Sequence, residues 1–331
     1  MSTAPWIARQ TRQLLAQRGH AWLLQGPSGL GQYELALSLV AAWLCEQAGE
    51  QGACGQCPSC HAIEVRTHAD LAVLMPETQM LALGWPLSEK AQSEIDDKKR
   101  KPSKDIRVEA MRELVEFAQR TDARGRGKAV LVFPAERMNA IAANALLKTL
   151  EEPAGQVRFV LASEAAHQLL PTIRSRCQTH TLGWPSPQEA LDWLHVQGLA
   201  AHEAEALLRS AGGRPDEVLR QTQSGLSPAW WAQLPLAMQR GDAGHLAELS
   251  PAQAIDALQK LCHDLVLLRN GAAPRFFMAS QLPACQAPQQ VLSDWFKRLM
   301  QAARTAEHPF NAGLMLEALA NDAQQALCAR P

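Results

Sequence analysis

A chain of 331 residues, 47% hydrophobic and 20% charged, has length for two or three domains and a large core. Its net charge of −1 and pI near 6.8 supply no global field toward nucleic acid or membrane, so any such contact must come from a local patch or from partners. No run of about 18 uncharged apolar residues predicts a membrane span, and residues 1–8 lack signal-peptide order, so the cytoplasm is the expected compartment.

The first apolar run, 20–25, leads into Gly26-Pro27-Ser28-Gly29-Leu30-Gly31-Gln32-Tyr33, and a helical pattern follows over 33–48. Strand, glycine loop and helix in that order are the context of a Walker A phosphate-binding loop. Gly26, Gly29 and Gly31 stand where backbone N–H groups could form an anion nest. Gln32, however, occupies the place of the lysine that reaches the β- and γ-phosphates, and Tyr33 that of the hydroxyl that holds Mg²⁺. A neutral amide brings no charge, and a phenol is too bulky for the metal position. The loop is shaped for a nucleotide and disarmed for hydrolysis.

Next come Cys45, Cys54, Cys57 and Cys60, four of the eight cysteines within sixteen residues. Two tight Cys-x2-Cys steps can wrap a tetrahedral ion, and Gly52, Gly55 and Pro58 supply turns. The pattern predicts one structural Zn²⁺ with all four positions filled by protein. Four free or redox-active cysteines are the competing assignment. His61 reads as a bystander.

Candidate strands follow at 70–75, 129–133, 157–162 and 179–182, after a first at 21–24, with helices at 108–120 and 140–152. Pro153 ends the latter. This alternation predicts an α/β fold, a mostly parallel sheet with helices on both faces. Between 77 and 105 the pattern lapses into polar residues, which reads as a mobile surface insertion. The third strand ends in Phe133-Pro134, where a P-loop ATPase needs acidic residues for Mg²⁺ and water; Glu136 reads as a solvent-exposed turn residue. After residue 184 the strands stop. Helices are expected at 187–197, 201–211, 215–222, 252–269, 288–306 and 311–327, so the boundaries fall at 1–184, 185–225 and 226–331.

The glycine-loop remnant, the four cysteines, Asn144-Ala145-Leu146-Leu147-Lys148-Thr149-Leu150-Glu151-Glu152-Pro153 and Ser175-Arg176-Cys177 together resemble the clamp-loader branch of the AAA+ proteins. The resemblance is dense over 20–184, fainter at Ala211-Gly212-Gly213-Arg214-Pro215, and beyond 225 rests on helical character alone. It implies a RecA-like AAA+ domain with a zinc module, a small helical lid and an all-α collar that joins a pentamer. It further implies a role in loading the sliding clamp on primed DNA within the bacterial DNA polymerase III holoenzyme, beside gamma/tau and delta subunits. DNA-directed DNA polymerase activity would belong to that complex. The lost lysine and acidic pair single out a non-hydrolysing member.

By the same resemblance Arg176, with Ser175 beside it, would be an arginine finger acting in trans, and Ser163 a sensor-1 position. Arg107, Arg112 and Lys148 fall where loader subunits touch the DNA backbone; ordinary solvated helix charge is the competing assignment. Two other classes compete with the loader subunit. An active P-loop ATPase would need a lysine from elsewhere, such as Lys128 or Lys148. A zinc-dependent nucleic-acid-binding module would predict tight, salt-sensitive DNA binding, which a charge of −1 does not favour.

Overall fold

The aliphatic runs form β1 (Ala21–Gln25), β2 (Leu71–Leu74), β3 (Lys128–Val132), β4 (Val157–Ser163) and β5 (Gln178–Thr181). In the computed structural model, which describes residues 3–306, 308 and 310–329, these strands form one sheet in the order β2-β3-β4-β1-β5. Every pairing is parallel, with Ala21 beside Phe159 and Gln25 beside Ser163. A parallel sheet has two chemically distinct rims. Gln25 and Ser163 lie at the carboxyl rim; Lys128, Val157 and Gln178 lie at the amino rim.

The helices of this part are α1 (Pro5–Leu15), α2 (Gln32–Leu44), α3 (Pro58–Glu64), α4 (Glu77–Ala82), α5 (Glu89–Asp96), α6 (Val108–Gln119), α7 (Ala140–Glu151) and α8 (Pro171–Arg174). Val130 and Val132 of β3 and Phe159 and Leu161 of β4 join buried residues of α6 and α7 in one cluster, as the two-residue period of a strand requires. Helix α2 packs on β3 and β4 from the opposite face, with α1 against it. The helix expected to reach residue 48 stops at Leu44, because Cys45 turns extended (φ −63°, ψ 133°) to enter the cysteine segment.

The 77–105 stretch is more ordered than its polarity suggests, holding α4 and α5. Arg100 fastens it. Its Nη2 donates to Glu77 at 2.7 Å, its Nη1 also reaches the Glu77 carboxylate, and its Nε donates to Glu94 at 2.7 Å. Glu77 accepts the Ser103 N–H as well, and these contacts hold its carboxyl below the usual range against the opposing effect of burial. Between this segment, α6 and the edge strand β2 lies a cavity of about 310 Å³, lined by Val73, Met75, Met80, Leu87 and Phe117 among others.

The chain divides into two compact units, Met1–Ser186 and Pro187–Pro331. The second is helical: α9 (Pro187–Val196), α10 (Ala201–Ser210), α11 (Pro215–Gln223), α12 (Pro228–Arg240), α13 (Pro251–Arg269), α14 (Gln289–Ala303) and α15 (Ala312–Cys328). One hydrophobic cluster runs through it, from Ala190 and Leu194 through Leu258 and Trp295 to Leu327. Asp264, fully buried, accepts the backbone N–H groups of Arg275, Phe276 and Phe277 at 2.7–2.9 Å and so fixes the turn after α13.

Candidate functional site

The glycine loop connects the carboxyl end of β1 to the first turn of α2, and Gly29 (φ 83°) and Gly31 (φ 92°) take the left-handed conformations a tight loop requires. Its interior is occupied by the loop's own residues. Gln32, 2% exposed, folds back so that Nε2 donates to the carbonyls of Gly26 (2.8 Å) and Pro27 (2.6 Å). Both hydrogens of the amide are thereby used. Leu30 is fully buried, and its carbonyl accepts the Trp6 indole at 3.0 Å. Tyr33 turns its ring toward Phe133, with centroids 5.6 Å apart, and its hydroxyl accepts the Trp85 indole at 2.7 Å. Burial pushes the Tyr33 phenol above its ordinary value despite that hydrogen bond.

At the end of β3, Phe133 is buried among these aromatic groups. Glu136 is not the exposed turn residue its position suggested. Its carboxylate accepts the Ser163 hydroxyl at 2.7 Å and the Glu164 N–H at 3.1 Å. The short 3₁₀ turn Ala135–Arg137 aims it at the end of β4, so Ser163, itself fully buried, is bound to a protein carboxylate.

The cysteine segment begins where α2 ends. The Sγ atoms of Cys45, Cys54, Cys57 and Cys60 all lie within 4.8 Å of one another. Cys45–Cys57 and Cys54–Cys60 are separated by 3.8 and 3.9 Å. Four sulfurs around one ion at about 2.3 Å would stand about 3.8 Å apart, so the donor set fits a tetrahedral metal–thiolate centre. Backbone N–H groups point at the sulfurs: Gln47 and Cys54 at Cys45, Gln56 and Cys57 at Cys54, and Cys60 at Cys57, at 3.3–3.4 Å. The bonds to Cys54 lower its thiol pKa, whereas burial pushes Cys60 up to about 12. His61 stays outside, 3.8 Å from Glu64 on the surface.

Two arginines of the loop before β3 hold this segment to the sheet. Arg126 donates to the Cys45 carbonyl through Nε (3.0 Å) and Nη2 (2.6 Å), and Arg124 reaches Glu46 (3.1 Å) and Ser59 (3.3 Å). Neither stood out in the sequence beyond its place in a basic, glycine-rich run.

Arg176 precedes β5, at the amino rim, and the glycine loop leaves β1 at the carboxyl rim. With about 3.3 Å per strand residue, the length of the strands separates the two, so the structure does not bring Arg176 to its own chain's loop. Its Nη1 donates to the Thr172 carbonyl at 2.9 Å, and its Nη2 pairs with Glu151. Ser175 donates to the same carbonyl at 3.1 Å.

The lysines considered as substitutes also lie at the amino rim. Lys128 opens β3, and its ammonium donates to the Phe117 carbonyl and covers the Phe117 ring. Lys148 is exposed two residues before Leu150, whose carbonyl contacts His20 just before β1. Arg112 is exposed on α6, and Arg107 at the start of α6 lies 3.7 Å from Glu77.

A parallel β2-β3-β4-β1-β5 sheet, with a glycine loop after β1 closed by its own glutamine and a four-cysteine segment after α2, defines an AAA+ type domain. Residues 8–185 match the family described as "DNA polymerase III, delta subunit", and the chain belongs to that family. The DNA polymerase III subunit delta′ of Pseudomonas aeruginosa is 39% identical over 216 residues, which is 64% of this chain and 58% of that protein. The alignment thus spans under two thirds of this relative. The delta′ subunit of Yersinia pestis is 29% identical over 326 residues, 93% of this chain and 88% of that one. The DNA polymerase III subunit tau of Escherichia coli is 31% identical over 214 residues, 63% of this chain and 29% of that one.

Proposed function

We propose that this chain is the non-hydrolysing delta′ subunit of a bacterial clamp loader, working in the cytoplasm with gamma/tau and delta subunits to place the sliding clamp on primed DNA. The observation that carries the first part is Gln32, whose amide spends both hydrogens on loop carbonyls where an ATPase would present a lysine. Phe133-Pro134 in place of acidic residues, and Glu136 bound to Ser163, support the same conclusion. DNA polymerase activity would belong to the holoenzyme.

Arg176 is the residue this chain would contribute to hydrolysis. Its position at the rim opposite its own loop favours service to a neighbour's ATP, where a guanidinium offsets charge developing on the γ-phosphate. Ser175 would shape that turn, and Arg107, Arg112 and Lys148 would meet DNA phosphates inside the assembly. Within 187–331, residues up to 225 would form the lid and the rest the collar. The metal held by Cys45, Cys54, Cys57 and Cys60 would be zinc, which supplies structure alone because four thiolates leave no position for water.

The purified chain should show no ATP turnover, and Gln32→Lys alone should not create any. Turnover that co-purifies stoichiometrically with the unmodified chain would refute the proposal. In a reconstituted loader, Arg176→Ala should leave assembly and metal content intact and slow clamp-stimulated hydrolysis. Arg176→Lys should rescue poorly, because an ammonium lacks the planar fork that grips two phosphate oxygens.

A further inference from the structure

Arg176 is held in a pose that leaves it incompletely satisfied. The guanidinium makes one bond to the Thr172 carbonyl and one ion pair to Glu151, while its Nε is buried with no hydrogen-bond partner. The arginine side chain is 29% exposed and the glutamate 49%, so the pair faces solvent enough to open.

Glu151 is the last residue of α7, with Glu152 following it. A helix carboxyl end carries partial negative charge, and an acidic residue there is unfavourable for the helix itself. Glu151 therefore stands where helix stability alone argues against a carboxylate, and Arg176 is the cation that neutralises it.

We infer that Glu151 is a latch: it keeps Arg176 off the neighbouring nucleotide until the subunits close. This rests on the in-trans role proposed above. The physical reason is competition for one cation, whose headgroup the Thr172 and Glu151 contacts hold in place. The Nη2 hydrogen directed at the Glu151 carboxylate cannot at the same time be given to a phosphate oxygen. A γ-phosphate carries more negative charge than a carboxylate and takes the guanidinium once it comes within reach. Until then Glu151 holds the arginine back, and hydrolysis waits for closure. A half-exposed pair is weak, so release should change rates about two- to fivefold.

The test uses the reconstituted loader carrying Glu151→Gln, Glu151→Ala, Arg176→Ala or Arg176→Ala with Glu151→Gln. ATP hydrolysis is measured without clamp and DNA, and again with both. Glu151→Gln should raise the unstimulated rate about two- to fivefold and leave the stimulated rate unchanged, and Glu151→Ala should do the same. The double variant should match Arg176→Ala. An unstimulated rate that stays level or falls in both glutamate variants overturns the latch, as does a rise that persists without Arg176 or a failure of either variant to assemble. If Arg176→Ala itself changes neither rate, it is the arginine-finger proposal that fails, a result distinguishable from an inert Glu151.

Discussion

The two ends of α2 have met opposite fates. At its amino end the glycine loop takes a tight turn through left-handed Gly29 and Gly31, while Gln32 and Tyr33 turn inward and bond to protein. At its carboxyl end Cys45 opens a four-sulfur cluster with separations suited to a tetrahedral ion. Under the proposed function, the difference follows from what each site is for. A catalytic loop must leave donors unspent for its ligand, and in the proposed non-hydrolysing subunit those donors can serve packing. A structural metal site contributes to folding through its ligands, so losing one costs stability directly.

The largest effect should come from Cys45→Ala. Loss of the ion and of a fully buried ligand should cost on the order of several kcal/mol, about 10 °C in Tm for a unit of this size. Metal content should fall with it, while the mean helicity of residues 187–331 survives. Retention of a full metal equivalent would show that the cluster does not act as one site.

Tyr33→Phe removes the acceptor of a buried Trp85 indole and should cost about 1–3 kcal/mol with metal content unchanged. It also has a pH signature. The folded phenol holds its proton more tightly than the unfolded one, so the stabilisation is complete below the ordinary value of 10.0 and declines as pH rises above it. Melting curves from pH 8 to 11 should fall less steeply for the phenylalanine variant than for the parent chain. Gln32→Ala should cost about 1–2 kcal/mol, since water can replace the amide at partly exposed carbonyls. If it also released the metal, the two ends of α2 would be coupled, and the contrast between them would fail.

The smallest effect is expected at Arg126. Arg126→Ala leaves the four sulfurs in place but unhooks the Cys45 carbonyl, costing about 1 kcal/mol. Its sharper readout is kinetic. Metal transfer to a colorimetric chelator should quicken, and Arg126→Lys, which can keep one bond, should fall between. Equal transfer rates would separate the arginine from the metal site.

The strands, the glycine loop and the cysteine cluster were legible in the sequence because each carries a local signal: an aliphatic run, a glycine spacing, a Cys-x2-Cys step. What escaped depended on distant partners or on broken local rules. Helix α12 contains Pro235 and was not picked out, although the proline is accommodated on the buried face of the helix. Helices α4 and α5 were hidden by polarity; ion pairing to Arg100, rather than an apolar stripe, fastens them. Glu136 looked like a turn residue because nothing local reveals a Ser163 that lies 27 residues later. Trp85 bonds Tyr33 across 52 residues, beyond the reach of any periodicity.

The segment beside β2 also bears on how the chain survives at high concentration. Strand β2 ends the sheet, and such a margin offers backbone donors and acceptors to any passing strand. Helices α4 and α5, pinned by Arg100, flank that margin with charged residues that make a poor template for a second copy. Shortening 77–105 to a tight turn would leave the sheet's core untouched and yet expose its border. Such a variant should melt much like the parent in dilute solution and form β-rich aggregates as its concentration is raised.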